Sequence, residues 1–86
     1  MPELSHFFGI IIRMFCNDHE PPHFHAIYGE FEALIQINTL EVLRGQLPNR
    51  ALALVLEWAA NHREALRQDW ELARTGHAPL PIEPLE

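Results

Sequence analysis

Three of the chain's six histidines fall within seven residues, at His19, His23 and His25 of the run His19-Glu20-Pro21-Pro22-His23-Phe24-His25, with Asp18 just before them. Imidazole has an ordinary pKa near neutrality, and its ring nitrogens can ligate a metal, carry a proton or hold an anion. The run marks where chemistry would sit. As letters, His19-Glu20-Pro21-Pro22-His23 satisfies H-E-x-x-H, in which two histidines one helical turn apart hold zinc and the glutamate activates water. That reading fails on backbone grounds. Two consecutive prolines inside the turn remove hydrogen bonds and clash with the preceding carbonyls, at a cost of about 3 kcal/mol or more each.

A strand suits the same residues better. Alternation starting at His23 puts His23, His25 and Ile27 on one face and Phe24, Ala26 and Tyr28 on the other, so two imidazoles point the same way. Such a pair could hold a divalent metal such as zinc, with His19, Asp18 or Glu20 as third ligand. It could equally work as acid and base, His23 and His25 exchanging protons beside Asp18, as in phosphodiester cleavage. The structural reading makes both histidines partly buried strand residues tied to backbone. His6, His62 and His77 lie far along the chain and read as surface or capping residues. Arg13 interrupts an apolar strand and calls for an edge position or a carboxylate mate, for which Glu32 is available. Cys16 reads as packing unless a histidine lowers its pKa.

At 86 residues the chain is the size of one small domain, with an apolar fraction near one half. Twelve acidic residues against six arginines leave a formal charge of −6, which opposes non-specific nucleic-acid binding. A lone cysteine forms no internal disulfide, and there is no basic leader and no apolar run of membrane-spanning length. These features point to a reducing, cytoplasmic setting without membrane attachment.

The positioning elements follow from periodicity. Gly9 to Phe15, with Ile10-Ile11-Ile12, reads as a buried strand that ends where the histidines begin. Phe24 to Tyr28 and Phe31 to Ile37 form a hairpin about the Gly29-Glu30 turn. Asn38-Thr39 leads into a short strand at Glu41 to Arg44, closed by Gly45. From Pro48 to Gly76 no glycine or proline interrupts, which reads as one long C-terminal helix, or two in line. At about 1.5 Å per residue it would reach about 40 Å, twice the length of the strands, so it must overhang or bend near Asn61-His62. The expected fold is α+β: an antiparallel sheet of three or four strands packed by that helix over residues 1–77, then a proline-rich extended tail over 78–86. A stripe of Leu52, Val55, Leu56, Ala59, Leu66, Trp70 and Ala73 is assigned to the sheet. A second stripe, Ala51, Leu54, Trp58, Ala65 and Leu72, is left for a protein partner or another copy, unless the N-terminal segment or tail covers it.

Four segments carry a resemblance: Phe7-Phe8-Gly9-Ile10, Asn17-Asp18-His19 with Pro21-Pro22-His23-Phe24-His25-Ala26, Leu52 to Ala59, and Trp70 to Ala73. With its PPHFHA core the chain resembles the domain-of-unknown-function 4160 family of small prokaryotic proteins. The resemblance implies a neighbouring gene product as partner and a toxin-like component of a toxin-antitoxin pair, with His23 and His25 as functional positions flanked by Asp18 and His19. The residues themselves leave two other readings open: a metal- or histidine-dependent hydrolase or ribonuclease, and a non-catalytic protein-binding adaptor.

Overall fold

The computed structural model describes residues 3–86. Five strands, β1 (Glu3–Phe7), β2 (Ile10–Arg13), β3 (His23–Tyr28), β4 (Phe31–Gln36) and β5 (Val42–Gly45), precede two helices, α1 (Asn49–Asn61) and α2 (Arg63–Arg74). The strands form one antiparallel sheet in sequential order β1-β2-β3-β4-β5, so each pairs with its neighbour in the chain. The fold is thus α+β as expected, but with five strands in place of three or four and two helices in place of one.

The additional strand is β1. Phe8 and Gly9, at φ 49° and 79°, make the two-residue turn that pairs Phe7 with Ile10. Positive φ at both central residues is what a type I′ hairpin turn requires. Along β1 the register shifts between Glu3 and Ser5, so Leu4 and Ser5 are buried in succession. The bulge hides the period-two signature of a strand.

Alternation divides the sheet into two faces. Ile10 and Ile12, Phe24 and Ala26, and Ala33 and Ile35 point into one core, where each is fully buried. The helices cover that side, contributing Ala51, Val55, Trp58 and Ala59 from α1 and Leu66, Trp70 and Ala73 from α2. Trp58 lies at the centre, its ring centroid 5.5 Å from Phe7 and 5.9 Å from Phe24. The helical path breaks at His62 (φ −127°, ψ 24°), in the region where a bend was expected. The break lets both halves lie over a sheet whose strands are only four to six residues long.

The buried helix face is rotated from the expected one. Ala51 and Trp58, assigned to a partner, lie in the chain's own core, whereas Leu52 and Leu56 are only half-buried. The tail explains much of the difference. The Trp58 indole N–H donates to the Glu83 carbonyl at 2.7 Å, the Ile82 amide donates to Leu4 on the outer edge of β1 at 2.7 Å, and Ile82 is buried. Residues 78–86 therefore strap α1 and the sheet edge together, leaving Leu54, Ala65 and Leu72 half-buried from the second stripe.

Asp69 anchors the same strap, since its Oδ1 accepts from the Leu80 amide at 2.9 Å while its Oδ2 is buried without a partner. Burial pushes the Asp69 carboxyl up from the ordinary aspartate value, against the pull of the Leu80 amide. A raised folded-state pKa means that the native state holds the proton more tightly, so Asp69 favours folding below its unfolded pKa. That contribution disappears as pH rises through the folded pKa. Asp69→Asn keeps the acceptor for Leu80 and removes this linkage. In urea titrations the stability of the variant relative to the parent should be higher at pH 7 than at pH 4.

Candidate functional site

The site is built where β3 emerges from the loop between β2 and β3. Residues 19–22 are not helical, so His19 and His23 do not share a helix face; the Glu20–Pro21 peptide is cis. Asn17 takes a left-handed conformation (φ 60°), which asparagine tolerates better than most residues. Its amide donates to the Ala73 carbonyl near the end of α2 at 3.1 Å, fixing the loop against the helix. Asp18 is thereby turned toward the sheet face that the helices leave open.

Two imidazoles meet that carboxylate. Asp18 Oδ2 lies 3.0 Å from His23 Nε2 and 3.2 Å from His25 Nε2. The opposite nitrogen of each ring has its own acceptor: His23 Nδ1 is 2.8 Å from the Pro21 carbonyl and His25 Nδ1 is 3.0 Å from Glu32 Oε2. A carbonyl can only accept, so His23 Nδ1 carries a proton and donates it, and a carboxylate demands the same of His25 Nδ1. In a neutral ring with Nδ1 protonated, Nε2 has a lone pair and no hydrogen. Two such lone pairs cannot face one carboxylate oxygen unless an electrophile sits among them, either a proton on the ring or a metal ion.

Burial gives this weight. The His23 side chain is 3 % exposed, His25 12 % and Asp18 17 %. Trp70 of α2 packs against His23 with ring centroids 5.4 Å apart, and Phe15 meets His25 edge-on at 4.5 Å. Burial acts to raise the Asp18 carboxyl. Hydrogen bonds from His25, the His19 amide and His23, together with the charge of His23, outweigh it and hold the group below its ordinary value.

The structure thus brings together Asp18, His23 and His25, whose donor atoms all lie within 4.8 Å of one another. His19 stands apart: its side chain is 88 % exposed and its Nδ1 lies 3.1 Å from the other oxygen of Asp18. Among the remaining sequence candidates, His62 sits at the helix break against Trp58, His77 bonds Thr75, and His6 lies 3.9 Å from Glu3. Cys16 is exposed and its thiol points to the His77 carbonyl at 3.5 Å.

Glu32 serves His25 rather than Arg13. The β3–β4 register pairs His25 with Leu34 and Ile27 with Glu32, which sets Glu32 diagonally from His25 on the same face. This partner follows from the Gly29-Glu30 turn once its two-residue length is taken to fix the register. Beside the cluster, His19, Glu20, His23, Leu34, Leu43 and Arg44 line a groove of about 210 Å³. A larger hollow of about 630 Å³ under the β3–β4 turn, walled by Tyr28, Phe31, Glu30 and Glu32, includes no histidine or arginine.

Fold and site together define a small α+β protein in which an aspartate of the β2–β3 loop meets two histidines of the central strand β3. The match of a family model over residues 9–71 assigns it further: the chain belongs to the family of the domain of unknown function DUF4160. The matched span holds Asp18, His23, His25, Glu32 and Arg44. No curated protein and no solved structure matches the chain.

The first two histidines of the run should separate by stability. His23→Ala strips partners from Asp18 and the Pro21 carbonyl in a buried setting and should cost about 1–3 kcal/mol. His19→Ala removes an exposed ring and should stay within about 0.5 kcal/mol of the parent. Urea unfolding of the two variants at neutral pH checks both.

Proposed function

We propose that Asp18, His23 and His25 are the protein ligands of a divalent first-row metal ion, zinc in the first instance, in a metal-dependent hydrolase. The observation that carries this reading is the convergence of two Nε2 atoms on one carboxylate oxygen while the Pro21 carbonyl and the Glu32 carboxylate face the two Nδ1 atoms. Ligands about 2.0–2.1 Å from a tetrahedral ion stand roughly 3.3 Å apart, and the two measured nitrogen-to-oxygen separations are 3.0 and 3.2 Å.

The outer contacts agree. Histidines that bind metals through one nitrogen characteristically donate the other N–H to a carboxylate or a backbone carbonyl, which orients the ring and raises its basicity. Glu32 does this for His25 and the Pro21 carbonyl for His23. Three protein ligands leave a coordination position for water or substrate, as catalytic sites require and closed structural zinc sites do not. When bound, the ion would supply a hydroxide near neutral pH and polarise the bond to be cut. The chain's part is to hold the ligands, exclude water through Trp70 and Phe15, and keep the neighbouring groove open. A hydrolytic centre of this kind is an activity that the toxin-like half of a toxin-antitoxin pair would use, so that expectation is carried forward with it.

One observation favours a second reading. Both nitrogens of His25 face carboxylates, Asp18 and Glu32, as an imidazolium would, so the pair could act by proton transfer without metal.

Metal titration decides between the two. Untagged protein should bind one equivalent of Zn²⁺ or Co²⁺ per chain, with the Co²⁺ form showing the visible absorption of a low-coordinate site. His25→Ala should abolish binding, and Glu32→Gln should weaken it about 10–100-fold. Folded protein that takes up neither ion would refute the metal reading in favour of proton transfer.

A further inference from the structure

We infer that the groove beside the histidines accepts a phosphate ester, whose anionic group is held by Arg44 and whose organic part lies against Leu34 and Leu43; this rests on the metal reading of Asp18, His23 and His25. The inference begins with a row of residues across the open face of the sheet. Strand pairing sets Arg13 opposite His25, His25 opposite Leu34, and Leu34 opposite Arg44. Directly paired residues project from the same face, and neighbouring strands lie about 4.8 Å apart. A guanidinium therefore stands one strand to one side of His25 and another two strands to the other side.

Neither arginine is spent on the protein. Among the described residues, Arg67 and Arg74 pair with Glu64 and Glu71, whereas Arg13 and Arg44 form no ion pair. Glu32, the nearest candidate mate for Arg13, is engaged by His25. Arg44 lines the groove directly, together with His23 of the cluster and the two leucines. Leu43 is there because a bulge between β4 and β5 inserts it between the paired Arg44 and Val42. The groove thus joins a planar cation, two apolar side chains and an edge of the histidine cluster. Guanidinium binds phosphate oxygens through two parallel N–H groups, a geometry that suits a phosphoryl group better than it suits a single carbonyl.

Charge makes the binding conditional. Asp18, Glu20 and Glu32 outnumber the two arginines by one, so the region repels anions when no metal is bound. A divalent ion held by Asp18, His23 and His25 reverses the sign. Affinity for a phosphate ester should follow metal occupancy, which also explains how a chain with a net charge of −6 could accept an anionic substrate.

The test uses the full chain loaded with Co²⁺ and titrated with phenyl phosphate, read by the cobalt spectrum and by calorimetry. Saturable binding is expected, tighter than for inorganic phosphate, absent for benzamide and lost when the metal is removed. Arg44→Gln should weaken phenyl phosphate binding about tenfold or more while Co²⁺ affinity stays within about twofold of the parent, and Arg13→Gln, outside the groove, should weaken it less. Co²⁺ binding with no response to phenyl phosphate, or with unchanged affinity in Arg44→Gln, overturns the assignment of the groove alone. Preference for inorganic phosphate overturns the ester. Failure of Co²⁺ to bind the parent chain overturns the metal reading and this inference with it.

Discussion

The constraint on which the rest depends is the alternation of β3. Six residues at the middle of the sheet must satisfy a hydrophobic core on one side and a polar centre on the other, and His23-Phe24-His25-Ala26 does so by strict exchange of the two kinds. Phe24 and Ala26 are fully buried beneath the helices, while His23 and His25 turn to the other face, His23 buried against Trp70 and His25 half-buried. A slip of one residue in the pairing of β3 would drive both imidazoles into the core and expose the phenylalanine. The position of the site is therefore guaranteed by the same packing that stabilises the domain.

The loop before β3 completes what the strand begins. A polar group as little exposed as Asp18 needs compensation: the His19 amide donates to its Oδ1, and its Oδ2 meets two ring nitrogens across which a proton or a metal ion must sit. Those rings are in turn held by Pro21 and Glu32, so the carboxylate, the imidazoles and their outer acceptors form one connected network. Its members come from the loop, β3 and β4, and Trp70 packs on it from α2. Such a network keeps its shape only when every member is satisfied. An electrophile among Asp18, His23 and His25 is a requirement of the geometry before it is a matter of function.

Much of this was legible in the residues. Apolar runs, alternation and turn residues located four strands, alternation singled out His23 and His25 as a pair, the two prolines ruled out the helical zinc motif, and the change of helical path was anticipated near Asn61-His62. What stayed hidden has physical causes. The bulge in β1 broke the alternation by burying Leu4 and Ser5 in succession. On the helices an apolar arc of about 200° leaves the choice of buried stripe open, and here a tail with three prolines helped to decide it by covering Trp58. The roles of Glu32 and Arg44 depend on cross-strand register and on a second bulge, which only the assembled sheet displays. Arg13 was recognised as needing explanation, but the carboxylate offered to it belongs to His25.

The placement of the two tryptophans gives the molecule an unusual optical property. Trp58 is sealed between Phe7, Phe24 and the terminal strap, so its emission reports the integrity of the domain and the docking of the last residues. Trp70 lies against the ring of His23, with centroids 5.4 Å apart, so its emission reports the surroundings of the cluster. With Trp58 on α1 and Trp70 on α2, either indole can be silenced by phenylalanine and the other followed alone. The chain's own fluorescence thus has one indole in the core beneath the tail and another beside the histidines of β3.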